Sequence, residues 1–148
     1  MYTSCLKKQH HIKSLFSDCT CEESKFKKII ELGRQQPALD SCHKTPENIV
    51  KGCQSTMYLH TQHHEDGIIF SASSDALISS GLAALLIQVY SGETPETILK
   101  CPPDFLEELG VSASLTPSRA NGLYSIHLRM KQEALKFLMK KGLPNTEN

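Results

Sequence analysis

The chain lacks an excess of either charge: its 148 residues carry 16 Lys and Arg against 16 Asp and Glu. With no basic stripe and no acidic tail, neither nucleic acid nor a membrane surface is an expected partner. Long apolar runs are missing too. A membrane span needs ~20 apolar residues, whereas the longest apolar stretch here, Gly81 to Tyr90, is interrupted by Gln88. The basic cluster Lys7, Lys8, His10 and His11 is not followed by an apolar h-region, so no secretory signal is expected. No internal repeat or low-complexity tract is present. These absences leave a soluble, cytoplasmic domain as the expected class. A chain of this length suits one domain spanning residues 1–148. It can bury about two-thirds of its unfolded surface and needs neither metal nor disulfide to fold.

Cysteine is not scarce. Cys5, Cys19, Cys21, Cys42, Cys53 and Cys101 would suggest a disulfide framework in a small secreted protein. In a reducing cytosol they are free thiols whose reactivity depends on local pKa and exposure.

Hydrophobic periodicity predicts helices first. Leu6, Ile12, Leu15 and Phe16 form one face of a short helix ending near Ser17-Asp18. Phe26, Ile29, Ile30 and Leu32 form the stripe of a second, led by Cys21-Glu22-Glu23-Ser24 and ended near Gly33. Pro37 and Pro46 mark an irregular segment from Gln35 to Asn48.

Extended Asn48-Ile49-Val50, then Thr56 to Gln62 and Ile68 to Phe70, carry the strand signals. The loop His63-His64-Glu65-Asp66-Gly67 reads as a hairpin connection. Ser73-Ser74-Asp75 is an expected cap for a helix from Ala76 to Tyr90 that buries Leu77, Ile78, Leu82, Leu85, Leu86 and Val89, with Gly81 and Ala83-Ala84 admitting the sheet. Thr94-Pro95 starts a short helix, and Asp104 to Leu109 forms another turn. A last long helix runs from about Arg119 to Lys140 on Leu123, Ile126, Leu128, Met130, Leu135 and Leu138, stopped by Gly142 and Pro144. The expected fold class is α+β: a small antiparallel sheet of about three strands, with helices covering one face.

Lys51-Gly52-Cys53-Gln54-Ser55 is the stretch richest in chemistry. Gly52 lets the backbone bend, Gln54 and Ser55 bring hydrogen bonds, and Lys51 adds a positive charge. Cys53 is either a thiolate shown to another molecule or a small buried apolar residue, the fate of many free cysteines. Metal ligation fits poorly. Cys19-Thr20-Cys21 and Cys42-His43 are too tightly spaced for a structural zinc site, and His60, His63 and His64 read as loop histidines. A Cys/His dyad would need a base among His60, His63, His64 and His127, and no orienting third residue accompanies them. Arg119 opposes the dipole at a helix start, so it is either solvated or kept for a partner or thiolate. Asp75 reads as an N-terminal cap and Met57-Tyr58 as strand core.

Asn48-Ile49-Val50-Lys51-Gly52-Cys53-Gln54-Ser55-Thr56-Met57-Tyr58 resembles the signature loop of SufE-type sulfur acceptors, with Tyr58 where tryptophan is common. Leu115-Thr116-Pro117-Ser118-Arg119, followed by Gly122-Leu123, resembles a second block of that family. Ile29-Ile30-Glu31-Leu32-Gly33 and Ser74-Asp75-Ala76 through Gly81-Leu82 agree in order. The likeness covers about residues 10 to 140. It implies a SufE/IscU-like α+β sandwich that accepts sulfane sulfur from a pyridoxal-phosphate cysteine desulfurase (SufS/CsdA type), stimulates it, and passes sulfur to an iron–sulfur scaffold complex. By the same resemblance Cys53 is the acceptor, Gly52, Gln54, Ser55 and Tyr58 shape its loop, Asp75 governs loop mobility, and Arg119 lies at the partner surface. No cofactor or metal is implied for the chain itself. The alternative is a metal- or cluster-binding scaffold of the IscU-like fold. The resemblance assigns nothing to Cys5, Cys19, Cys21, Cys42 or Cys101.

Overall fold

The computed structural model describes residues 2–142. Among these residues, seven α-helices and one β-hairpin follow in the order α1 (Thr3–Leu15), α2 (Glu22–Gln35), β1 (Met57–His64), β2 (Gly67–Ser74), α3 (Leu77–Tyr90), α4 (Pro95–Lys100), α5 (Asp104–Glu108), α6 (Val111–Ser114) and α7 (Pro117–Gly142). Two single 3-10 turns, Ser41–His43 and Pro46–Asn48, occupy the irregular segment. The α+β class is as expected. The Pro144 stop lies outside the described residues.

The sheet has two strands rather than three. β1 and β2 pair antiparallel from Met57↔Ser74 to His64↔Gly67, closed by the two-residue turn Glu65-Asp66 with Glu65 at φ 54°. His63 and His64 therefore belong to the strand. Asn48-Ile49-Val50 contributes one isolated bridge, Ile49↔Tyr58, and a Val50 N–H donated to the Met57 carbonyl at 2.8 Å. It cannot extend into a ladder because the 3-10 turn at Pro46–Asn48 precedes it and the bend at Gly52 follows.

Alternation along β1 sends Met57 and Leu59 into the core, where Ile68 and Phe70 of β2 join them. α3 packs on that face, and its Leu82 to Val89 segment is buried except for Gln88. Each of that segment's leucine, isoleucine and valine side chains contributes roughly 1.5–3 kcal/mol on burial. Leu77, expected inside, is 54% exposed; it is the first residue of α3, whose buried run begins only at Gly81. On the opposite side of the hairpin the His43 and His60 rings stack with centroids 3.6 Å apart, fastening the 3-10 segment to β1.

Gly33 does not stop α2; it lies inside the helix where α2 crosses α3. A Cβ on Gly33 would stand 2.7 Å from the Gly81 amide nitrogen, so the paired glycines let the two backbones meet. The close approach expected between Gly81 and the sheet is thus made to α2. α7 presents Leu123, Ile126, His127, Met130 and Ala134 to the core, while Leu128 and Leu135 face outward. α1 likewise buries Cys5, Gln9 and Ile12, with Phe16 just beyond its end, and leaves Leu6 exposed. α4 starts as anticipated, with the Thr97 N–H donating to Thr94 Oγ1. Among the described residues no helix is long and apolar enough to cross a membrane.

Candidate functional site

The loop from Lys51 to Thr56 is pinned at both ends and bent in the middle. The Val50–Met57 bond holds its base. At its far end the Thr56 N–H donates to Asp75 Oδ1 at 3.2 Å, and the Asp75 N–H returns to the Thr56 carbonyl at 3.4 Å. Asp75 therefore ties the loop to the hairpin end instead of capping α3; the neighbouring Ser74 hydroxyl accepts the Ala76 N–H. Gly52 has φ +96°, a region costly for other residues. A Cβ there would collide with the Ser125 hydroxyl of α7.

The bend aims Cys53 at α7. Its thiol lies 3.8 Å from the Gly122 carbonyl oxygen and is half-buried, and burial pushes its pKa up. The resting thiol is thus neutral and sheltered, not the cation-activated thiolate that nearby Lys51 suggested. Beside it is a cavity of about 170 Å³ walled by Gln54 and Ser55 of the loop, Ser79 and Leu82 of α3, and Arg119 and Gly122 of α7. Ser55 is fixed to this wall by a 2.9 Å hydrogen bond with the Ser79 hydroxyl.

Arg119 is at the rim. Its N–H meets Thr116 Oγ1 at the helix start, and none of the ion pairs among the described residues engages its guanidinium. Cys53, Gln54, Ser55 and Arg119 therefore converge on one cavity. Gly52 supports it from behind and Asp75 from the far end. Tyr58 is not among the cavity residues; it bridges to Ile49 instead. Ser79 and Ser125 were not anticipated; serines on the faces of two helices give no periodic signal.

The candidate bases are elsewhere. His60 is stacked on His43, and His63 meets Phe137. His127 is buried against the Tyr90 ring, with centroids 5.1 Å apart, and burial and then Lys131 lower its pKa to about 4. Its Nε2 has no hydrogen-bond partner among the described residues. Neither these three nor His64 line the Cys53 cavity. Cys53 is the one cysteine among the described residues lining it, and no group of three or more His, Cys, Asp or Glu side chains among the described residues converges as a metal site.

Comparison with known proteins identifies the family and the fold. The SufE domain, described as an Fe-S metabolism associated domain, matches residues 10–134. A SufE-like protein 1, chloroplastic/mitochondrial, of Arabidopsis thaliana is 36% identical over 134 residues, covering 90% of this chain and 36% of that protein. The chain thus spans about a third of that relative's length. An uncharacterized SufE-like protein of Synechocystis is 35% identical over 122 residues, 82% of this chain and 77% of its own length. The solution structure of a hypothetical protein from Thermus thermophilus superposes with a TM-score of 0.71 at 24% identity, over 89% of this chain and 96% of that one, and so shares the fold. The chain belongs to the SufE family and carries its Fe-S metabolism associated domain.

Proposed function

We propose that this chain is a sulfur acceptor acting as a single SufE-like domain. Cys53 takes the outer sulfur of a persulfide formed on a pyridoxal-phosphate cysteine desulfurase, and the chain hands it to iron–sulfur cluster assembly. The observation that carries this reading is a half-buried, neutral Cys53 thiol beside a small cavity whose rim bears Arg119. The chemistry is thiol–disulfide exchange without net oxidation. Cys53 gives up its proton, its thiolate attacks the terminal sulfur of the partner's Cys–S–SH, the S–S bond breaks, and the electron pair leaves on the partner's cysteine thiolate. The product is a Cys53 persulfide.

Burial supports a division of labour. Against the Gly122 carbonyl the thiol stays protonated and shielded from cellular oxidants and reductants, so the loop opens to react. Gly52 is the bend on which such movement turns, the Asp75–Thr56 contacts set how readily it occurs, and Gln54 and Ser55 line the cavity that receives the added sulfur. Arg119 offers its charge to the partner or to the thiolate while the loop is open. Accepting sulfur clears the desulfurase for another turnover, which is how the chain stimulates it. A reducing compartment such as the cytoplasm keeps the acceptor thiol available.

The test is incubation with a cysteine desulfurase and cysteine, followed by peptide mass spectrometry. Added mass of one sulfur on the Cys53 peptide is expected. Cys53→Ser abolishes it together with the stimulation, and Arg119→Ala lowers stimulation about tenfold, the loss of one charge-assisted contact of ~1.4 kcal/mol. Sulfur recovered on another cysteine, or full stimulation by Cys53→Ser, overturns the proposal.

A further inference from the structure

Two cysteines outside the Cys53 site are brought together by the fold from opposite parts of the chain. Cys5 lies on α1 and Cys101 directly after α4, and they are 0% and 2% exposed. One side chain holds both. The Gln9 amide Nε2 is 3.8 Å from the Cys5 sulfur, 3.5 Å from the Cys101 sulfur and 2.9 Å from the Pro102 carbonyl oxygen, to which it donates. Gln9 Oε1 accepts the Phe105 N–H at 3.2 Å, and the Tyr90 hydroxyl donates to the Cys101 carbonyl at 2.7 Å. The backbone around Cys101 is therefore fixed from two sides. Within this frame both sulfurs lie within 3.8 Å of the same amide nitrogen, so the two thiols are gathered around one atom. Thiols are weak hydrogen-bond acceptors, so an amide turned to two of them leaves a polar, oxidisable cluster in an apolar interior.

We propose that Cys5 and Cys101 are a modification site: a buried dithiol that closes to a disulfide when the protein meets a low-molecular-weight disulfide, stapling α1 to the α4–α5 connection. The exchange balances in two steps. One cysteine thiolate attacks the oxidant R–S–S–R, forming a mixed disulfide and releasing a thiolate that is protonated to RSH. The second cysteine attacks the protein sulfur of that mixed disulfide and expels the other RSH. The protein pair is oxidised by two electrons and the reagent is reduced by two.

In the closed fold, burial pushes the Cys5 thiol up to about 12, so the pair reacts slowly until α1 lifts from α3 and α5. The site is thereby responsive to conditions that loosen the N-terminal helix. Neither cysteine lines the Cys53 cavity, so the modification does not depend on sulfur transfer.

The experiment uses the chain of residues 1–148 carrying Cys53→Ser, which makes it independent of the sulfur-acceptor reading. The folded protein is treated with oxidised glutathione, quenched by alkylation, and digested with trypsin without reduction. A disulfide-linked pair of peptides, residues 1–7 with residues 101–119, is expected to accumulate. Closing a loop of this length should raise the Tm by on the order of 10 °C, reversed by dithiothreitol. The same treatment of the chain with Cys101→Ala added should leave the Tm unshifted. Recovery of Cys5 and Cys101 as alkylated thiols or as glutathione mixed disulfides, with oxidation confined to Cys19, Cys21 and Cys42, overturns the proposal. Should Cys101→Ala fail to fold, the peptide map of the chain retaining both thiols decides alone.

Discussion

Gly52 and Ser125 touch so closely that the loop bearing Cys53 and the long helix α7 form one packed unit. Gly52 has φ +96°, and any Cβ added to it overlaps the Ser125 hydroxyl. The position of the Cys53 sulfur against the Gly122 carbonyl, one helical turn before Ser125, depends on that contact.

Gly52→Ala should therefore cost about 1–3 kcal/mol, from the strained backbone and the displaced hydroxyl. It should also speed alkylation of Cys53 by moving the loop off α7. Urea midpoints and iodoacetamide labelling read the two effects. Adding Ser125→Ala removes the overlapping oxygen and should restore part of the stability.

Asp75 carries a different load from a helix cap. Asp75→Ala deletes the acceptor of the Thr56 N–H and should cost roughly 0.5–1.5 kcal/mol while accelerating hydrogen exchange at the Thr56 amide. Asp75→Asn keeps an acceptor oxygen and should stay close to the parent protein. Equal exchange in all three proteins would contradict this role.

His127 makes stability depend on pH. In the unfolded chain a histidine takes up its proton near pH 6.5, whereas His127 in the fold does so only near about 4. Between these values the unfolded state binds more protons, so stability falls as pH drops through this window and levels off below it, by ~3 kcal/mol at most. His127→Phe should flatten this part of the curve. His60, also lowered by burial and by His43, keeps a shallower slope in both proteins. Parallel curves for the two proteins would exclude His127 as the source.

The thiols should label in a definite order. Cys21 is exposed, and the Ser24 hydroxyl lowers its pKa; Cys53 is half-buried and raised; Cys5 is enclosed and raised furthest of the three. At pH 7.5 a maleimide should react fastest at Cys21, then Cys53, then Cys5, following thiolate fraction and access (pH 7.5 being about one unit below an ordinary thiol pKa). Ser24→Ala should slow Cys21 alone.

Much of this protein follows from local sequence. The amphipathic stripe of α2, the alternation of β1, the Thr94-Pro95 start of α4, and a cysteine behind a glycine are properties of residues a few positions apart, so they survive reading in one dimension. The motif around Gly52-Cys53 and Thr116 to Arg119 reaches further and points to the family on its own.

Only the tertiary structure decided which elements meet. It reduced the sheet to two strands, because a 3-10 turn and the Gly52 bend leave Ile49-Val50 room for a single bridge. It turned Asp75 back to Thr56, set Gly33 against Gly81 in a helix crossing, and brought Leu128 and Leu135 outward while His127 went in. It also gathered Cys5 and Cys101 around Gln9. Each outcome depends on the packing angle and offset between segments distant in the chain. Those quantities arise from the summed fit of whole helix faces, and no short stretch of residues encodes them.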